Sequence, residues 1–109
     1  MADTLGAFEQ AVLLAILRLG DDAYGRAVLS EVQARLERTV AVGAVQATLE
    51  RLERKGLVAS RLGTGTPVRA GRRRRFYRIK PKAVRALNQA RATADALWQG
   101  FDFPLKGSV

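Results

Sequence analysis

The segment between residues 57 and 80 constrains the fold most strongly, because two strand-like stretches flank a glycine-rich one. Residues 57–62 form the first stretch, and Phe76, Tyr77 and Ile79 give the second stretch residue types that favour strands. Residues 63–71, with three glycines and a proline, read as the loop between them. The pattern predicts a β-hairpin.

Four consecutive arginines lie where this loop meets the second strand: Arg72, Arg73, Arg74 and Arg75. A hairpin with arginines at its tip, directly after a helix, indicates a wing that lays guanidinium groups along a phosphate backbone. We expect Arg61 and Arg69 to join these four in binding phosphates. A solvated or disordered basic run is the alternative, and the order of the surrounding elements argues against it.

The charge of the chain is distributed unevenly. Residues 1–53 carry five basic and eight acidic side chains, whereas residues 54–109 carry fourteen basic and two acidic ones. The formal net charge of +9 therefore comes entirely from the second half. A positive field on one side of a small domain is typical of a protein that binds a polyanion.

Composition excludes several other classes of function. The 109 residues fit one domain, and the chain has no cysteine and no histidine. These absences remove most metal sites and the usual general base, so we expect neither an enzyme nor a cofactor. The longest apolar run, residues 11–17, is too short to span a bilayer, and we expect no secretion leader. We expect a cytoplasmic protein without a membrane partner.

Helical periodicity predicts three helices before the hairpin, at about residues 5–19, 23–38 and 43–55. Thr4 and Asp22 are the expected caps of the first two helices, and Gly56 is the expected end of the third. In the third helix, Val42, Val45, Leu49 and Leu52 share one arc and should be buried.

The opposite face of the third helix combines small residues with arginine, which suits close approach to a DNA groove. We expect Gln46, Thr48 and Arg51 to contact bases or their surroundings, and Gln46 could bind an adenine edge through two hydrogen bonds. A merely solvated face is the alternative. Tyr24 is expected to pack in the core rather than bind phosphate. The candidate DNA contacts on this helix are Gly43, Ala44, Gln46, Ala47, Thr48 and Arg51.

Pro81 opens a fourth helix whose apolar residues recur in steps of four and three, as in a heptad seam. The seam is too short for a free coiled coil, so we expect it to dock between two subunits, against the first helix. The residues from 102 onward should fray. The candidate dimerisation residues are Leu5, Phe8, Val12, Leu87, Ala90, Ala94, Leu97, Trp98 and Phe101.

The order of helix, helix, turn, helix, basic hairpin and helix predicts a mainly α fold with a small antiparallel β-hairpin. Residues 1–80 would form a winged helix-turn-helix, and residues 81–109 a dimerisation helix with its tail. The expected function is that of a homodimer that binds double-stranded DNA. A non-sequence-specific architectural module is the alternative, because the one-sided charge permits it equally.

Several segments resemble the PadR family of bacterial transcriptional regulators, over about residues 5–98. They are Phe-Glu-Gln at 8–10 with residues 12–17, Ala-Tyr-Gly at 23–25, Gly-Ala-Val at 43–45 with residues 48–58, and Gly-Arg-Arg at 71–73 with residues 76–79. The resemblance implies a winged-helix DNA-binding domain, a C-terminal helix that dimerises, and a repressor whose operator affinity falls when a small, often aromatic, effector or another signal is present. For the expected homodimer, the operator would be a pseudo-palindrome.

The resemblance also suggests where the effector would bind and where this chain differs. Short family members receive planar molecules in an aromatic-lined pore at the dimer interface, which points to Trp98, Phe8 and Phe101. A dimer-interface anchor is the alternative role for Trp98. Ala41 replaces the usual hydroxyl residue and Gln46 the usual tyrosine near the start of the recognition helix.

Overall fold

The computed structural model of the chain describes residues 4–63 and 74–107. Within them, the α-helices are α1 (Ala7–Leu19), α2 (Gly25–Leu36), α3 (Val42–Arg54) and α4 (Pro81–Trp98), and the strands are β1 (Val58–Leu62) and β2 (Arg75–Ile79). The strands pair antiparallel. The predicted mainly α fold with a winged helix-turn-helix is confirmed.

The core lies where α1, α2 and α3 meet the hairpin. Leu13 of α1, Val28 of α2 and Leu49 of α3 are fully buried. Tyr77 of β2 and Ala83 of α4 close the same cluster from the other side. Burying each large apolar side chain stabilises the fold by roughly 1.5–3 kcal/mol. Because residues of α3 and of the hairpin belong to the same cluster, their packing holds α3 and the wing in one relative orientation.

The first helix begins later than predicted. Gly6, not Thr4, is its N-cap, and the Glu9 carboxylate accepts the Gly6 N–H at 3.2 Å. Leu5 is buried before the helix starts, and its carbonyl accepts a hydrogen bond from the Gln10 side-chain nitrogen Nε2 at 3.1 Å. Leu5 is buried ahead of Gly6, whose backbone is extended, and the helix begins after these two residues.

The second helix also begins later, at Gly25, with Tyr24 rather than Asp22 as its N-cap. Asp22 instead ends a 3₁₀ turn, Gly20–Asp22. The reason is pairing with the wing: the Tyr77 N–H donates to the Ala23 carbonyl at 2.8 Å. The chain must stay extended at this point to make that bond.

The bounds of α3 agree with the prediction within one residue, and Gly56 follows it with a φ of 76°, in the left-handed region that favours glycine. Val42 was predicted to be buried, but it is 65% exposed. It is the first residue of α3, and that end of the helix extends past the core that covers Val45 and Leu49. The Gln33 side chain fixes the preceding turn by accepting the Val40 N–H at 3.0 Å.

The hairpin register pairs Val58 with Ile79 and Leu62 with Arg75. Of the two neighbouring aromatic residues, Tyr77 is buried and Phe76 is half-buried on the opposite face. The predicted loop beyond Gly63 lies outside the described residues, together with three of the candidate phosphate contacts, Arg69, Arg72 and Arg73.

Only the start of α4 packs against the rest of the chain. Ala83 is buried and Leu87 is half-buried, whereas every residue of 91–107 is exposed. The molecule measures 57 × 31 × 20 Å, and its radius of gyration of 16.2 Å exceeds the roughly 13 Å of a compact chain of this length. The fourth helix therefore projects from the winged domain.

Candidate nucleic-acid interface

The N-terminal half of α3 presents an exposed surface of small, uncharged residues. Gly43, Ala44, Gln46 and Ala47 are all exposed. Ala41, the N-cap, supplies no side-chain hydrogen bond to the start of the helix. A helix with this surface can approach another macromolecule closely through its first two turns.

Gln46 lies on the side of α3 that faces the wing. Its amide nitrogen donates to a Glu50 carboxylate oxygen at 3.4 Å. Burial raises the pKa of the Tyr77 hydroxyl, and a hydrogen bond with the Gln46 side chain partly offsets this increase. Gln46 therefore lies at the junction of α3 and β2.

Thr48 and Arg51, which were expected to contact bases or their surroundings, are both engaged within the chain. Thr48 is only 3% exposed, and its hydroxyl accepts a hydrogen bond from Arg51 Nη2 at 3.3 Å. Arg51 Nε donates to Glu9 Oε2 at 3.3 Å. Both side chains are thus held on the α1 side of α3, with the Arg51 side chain 42% exposed.

Glu9 is a buried carboxylate that joins the first helix to the third. Besides Arg51, it pairs with Lys55 Nζ at 3.2 Å. Burial alone would raise the pKa of Glu9, but the Gly6 N–H, Lys55 and Arg51 together lower it below its ordinary value. The carboxylate is charged in the folded protein and holds the C-terminal half of α3 against α1.

The arginines of the second strand point to opposite faces of the hairpin, because successive side chains of a strand alternate. Arg75 faces α3: its Nη1 donates to Ser60 Oγ at 2.9 Å, and that hydroxyl donates to Glu53 Oε2 at 2.8 Å. Arg74 lies on the outer face. Arg74 and Arg75 therefore lie on opposite faces of the wing.

The outer face of the wing carries a stack of four side chains that the sequence did not reveal. The Arg74 guanidinium lies 4.2 Å from the centre of the Tyr24 ring, and the Arg61 guanidinium 5.1 Å from that of Phe76. The two rings meet edge to face at 5.8 Å. Alternation in the hairpin could have paired Arg61 with Phe76, but nothing local in the sequence brings Tyr24 to them.

A shallow, open cavity of about 470 Å³ lies between α1 and α3. Phe8 is on its α1 side, and Arg38 and Thr39 lie at the turn before α3. Its remaining lining residues are Val40, Ala41, Ala44, Ala47, Thr48 and Arg51. Phe8 thus faces the helix-turn-helix surface of its own chain.

Trp98 is the second of the three predicted effector contacts and is the last residue of α4. Its ring packs edge to face against Phe103, with centres 5.7 Å apart. Phe101, the third predicted effector contact, is 65% exposed. Within one chain, Phe8 and Trp98 therefore line separate surfaces.

The predicted dimerisation residues divide into exposed and buried ones. On α4, Leu97 is 73% exposed, Ala94 is exposed, and Leu87 and Ala90 are half-buried. Leu5 and Val12 are buried in the core of their own chain and are not available to a partner. The large apolar residues of α1 that are exposed are instead Leu14 and Leu17.

Among residues 4–63 and 74–107, no helix is long and apolar enough to cross a membrane. The same residues hold no group of three or more acidic side chains that could bind a metal ion.

Residues 13–89 match the sequence model of a protein family that is described as "Transcriptional regulator PadR-like family". No curated protein sequence matches the chain. Among solved structures, a transcriptional regulator from Clostridium thermocellum is 21% identical, with a TM-score of 0.67 over 83% of this chain and 82% of that one. A PadR family regulator from Eggerthella lenta is 27% identical, with a TM-score of 0.63 over 82% of this chain and 75% of that one.

A third similar structure is that of Bordetella bronchiseptica BpsR, whose DNA binding is regulated by 6-hydroxynicotinic acid. It is 17% identical to this chain, with a TM-score of 0.63 over 94% of this chain and 73% of that one.

Proposed function

Because the chain belongs to the PadR-like family of transcriptional regulators, we propose that this DNA-binding regulator acts as a homodimeric repressor of a pseudo-palindromic operator. Members of the family are transcriptional regulators rather than enzymes. The observation that carries the proposal is the juxtaposition of an exposed, uncharged start of α3 with arginines on both faces of the adjoining wing. We place the protein in the bacterial cytoplasm, where it would meet its operator.

In this proposal, α3 enters the major groove by its N-terminal half. Gly43, Ala44 and Ala47 let the helix backbone come close to the base edges, and Gln46 reads a base, an adenine in the simplest case. The acidic residues Glu50 and Glu53 follow in the C-terminal half. The N-terminal half is free of charge that would repel phosphates.

The wing supplies the phosphate contacts. Arg61, Arg74 and Arg75 would flank the groove, together with Arg69, Arg72 and Arg73 from the segment outside the described residues. Arg51 would act at the edge of this surface with the part of its guanidinium that Glu9 and Thr48 leave free. Such contacts set affinity and register but carry no sequence information.

A second copy of the chain would cover the apolar strip of α4. Leu97, Trp98 and Phe101 are large, exposed and close together on that helix and its end, and apolar surface of this kind marks an interaction site. We propose that α4 packs against its equivalent and against Leu14 and Leu17 of the partner's α1. Two recognition helices would then lie about 34–36 Å apart, one helical turn of DNA.

We further propose that a small planar aromatic effector releases the operator. The precedent for small-molecule control is BpsR, whose DNA binding is regulated by 6-hydroxynicotinic acid. Trp98 and Phe101 would stack the effector at the dimer interface, and Phe8 could contribute only if the partner chain brings it there. Binding would change the angle between the two DNA-reading domains through α4.

The test is a fluorescence-anisotropy titration with duplex fragments selected from the source genome, repeated at several salt concentrations. Contact with about four phosphates per protomer predicts a slope of about −7 for log affinity against log salt. A specific operator should bind at least 10³-fold more tightly than bulk DNA. A ratio below about ten would identify a non-specific architectural protein instead, and a slope near zero would contradict both functions.

A further inference from the structure

The four side chains on the outer face of the wing form one continuous arrangement, here called the wing stack. It runs from Arg74 over the Tyr24 ring, from that ring to Phe76, and from Phe76 to Arg61. Both guanidinium groups lie within the roughly 6 Å that a favourable contact with an aromatic face requires. Both arginines are otherwise exposed.

The backbone fixes the positions of the two rings. Tyr24 is the extended N-cap of α2 and pairs with Phe76 through a β-bridge. The Tyr77 N–H bonded to the Ala23 carbonyl holds the same two segments together. Phe76 in turn faces Arg61 in the hairpin register. The wing stack therefore lies on a rigid junction between the helix-turn-helix and the wing.

An arginine whose guanidinium stacks on an aromatic ring is restrained in orientation, but its N–H groups can still donate hydrogen bonds. Its flat face lies on the ring, and its N–H groups at the edge remain free to bind phosphate oxygens. An unrestrained arginine loses side-chain freedom when it binds DNA, whereas a restrained one has lost much of it already. Rings below the arginines therefore favour DNA binding without touching DNA.

We propose that Tyr24 and Phe76 are positioning residues for DNA binding, which hold Arg74 and Arg61 in the orientation that phosphates on one side of the groove require. This inference rests on the proposed DNA-binding function. Since phosphates carry no sequence information, the effect should be equal for operator and non-operator DNA.

The test is a double-mutant cycle with Tyr24→Leu and Arg74→Ala, measured by anisotropy with operator and with bulk duplex DNA. Tyr24→Leu should weaken binding to both by about three- to thirty-fold, the range expected for a cation held on an aromatic face. It should have no further effect once Arg74 is alanine, because it acts through that side chain. Tyr24→Phe keeps the ring and should bind within about twofold of the unaltered protein.

Arg75→Ala is the matched control, because this arginine carries the same charge on the same strand but faces α3. Combined with Tyr24→Leu, it should show independent, multiplicative losses. The same independence between Tyr24→Leu and Arg74→Ala would overturn the inference, and so would a normal affinity of Tyr24→Leu. If Tyr24→Phe binds as weakly as Tyr24→Leu, the hydroxyl itself is the ligand and the positioning role is wrong.

Thermal unfolding followed by circular dichroism checks that each variant is folded. If Tyr24→Leu does not fold, the double-mutant cycle is repeated with Phe76→Leu and Arg61→Ala. Phe76→Leu should then weaken DNA binding in the unaltered protein but have no effect once Arg61 is alanine. If the unaltered protein binds no duplex even at low salt, the proposed function fails. If the unaltered protein binds DNA but the two substitutions of the cycle weaken binding independently, the proposed function stands and the positioning role of the aromatic rings is wrong.

Discussion

Glu9 Oε2 lies 3.3 Å from Arg51 Nε, a contact between α1 and α3 across 42 positions of sequence. The carboxylate is almost fully buried, and Lys55 approaches the same oxygen. One buried charge thus determines how the C-terminal half of α3 rests on α1. The contact links the α1 helix, whose other side we assign to the dimer, with the helix that we assign to DNA.

Glu9→Gln should therefore destabilise the protein while keeping its shape. The substitution removes the charge that Arg51 and Lys55 share, and because both cations are partly exposed we expect a loss of only about 1 kcal/mol. The midpoint of thermal unfolding should fall by about 4–8 °C. Glu37→Gln removes an equal charge from an exposed position and should leave the midpoint almost unchanged. Equal midpoints for the two variants would contradict a stabilising role for Glu9.

The same carboxylate predicts how stability depends on pH. The pKa of Glu9 is lower in the folded protein than its ordinary value of 4.5, so its contribution is complete above that value and is lost as pH falls through the folded pKa. The difference in unfolding free energy between the unaltered protein and Glu9→Gln should be constant from neutral pH to about pH 5. Urea titrations at lower pH should show it shrinking. A difference that grows on acidification would contradict the assignment.

The elements of the fold could be predicted from the sequence because they depend on local patterns. Repeats of apolar residues gave the four helices, and the glycine-rich segment between two strand-like stretches gave the hairpin. Gly56 marked the end of α3 because few other residues adopt a positive φ cheaply.

Details that depend on contacts between distant segments could not be predicted. Tyr24, not Asp22, begins α2 because the wing needs extended chain there. The Arg51 side chain turns toward Glu9 of α1, which no pattern within α3 reveals. The arginine run looked like one patch, and only the position of β2 shows that Arg74 and Arg75 face opposite sides.

Gln46→Ala should change which DNA sequences bind rather than how strongly DNA binds in general. If Gln46 reads a base through two hydrogen bonds, its loss removes about 1–3 kcal/mol of discrimination at one base pair in each half-site. Selection from randomised duplexes should then show relaxed preference at that position alone. Gln89→Ala, an exposed glutamine on α4, should leave the selected sequences unchanged. Unchanged selection with Gln46→Ala would remove this residue from the reading surface.

Leu97→Glu should convert the proposed dimer into monomers. Leu97 is 73% exposed in the single chain, and in a dimer its apolar side chain would be covered by the partner's α4. Burying a charge there without a counter-charge is strongly unfavourable, so sedimentation velocity should show the mass of one chain at concentrations where the unaltered protein shows two. Operator affinity should fall steeply, because two linked half-sites bind far more tightly than one.

Ala92→Glu adds the same charge to the opposite side of α4, where the residue is also exposed, and should leave the dimer intact. Glutamate is a good helix former at both positions, so a difference in sedimenting mass between the two variants reflects the apolar seam of α4 and not a change in helix propensity. If both variants sediment as dimers, the seam of α4 is not the interface. If the unaltered chain itself sediments as a monomer, the symmetric arrangement of recognition helices must be abandoned, since one protomer presents only one α3.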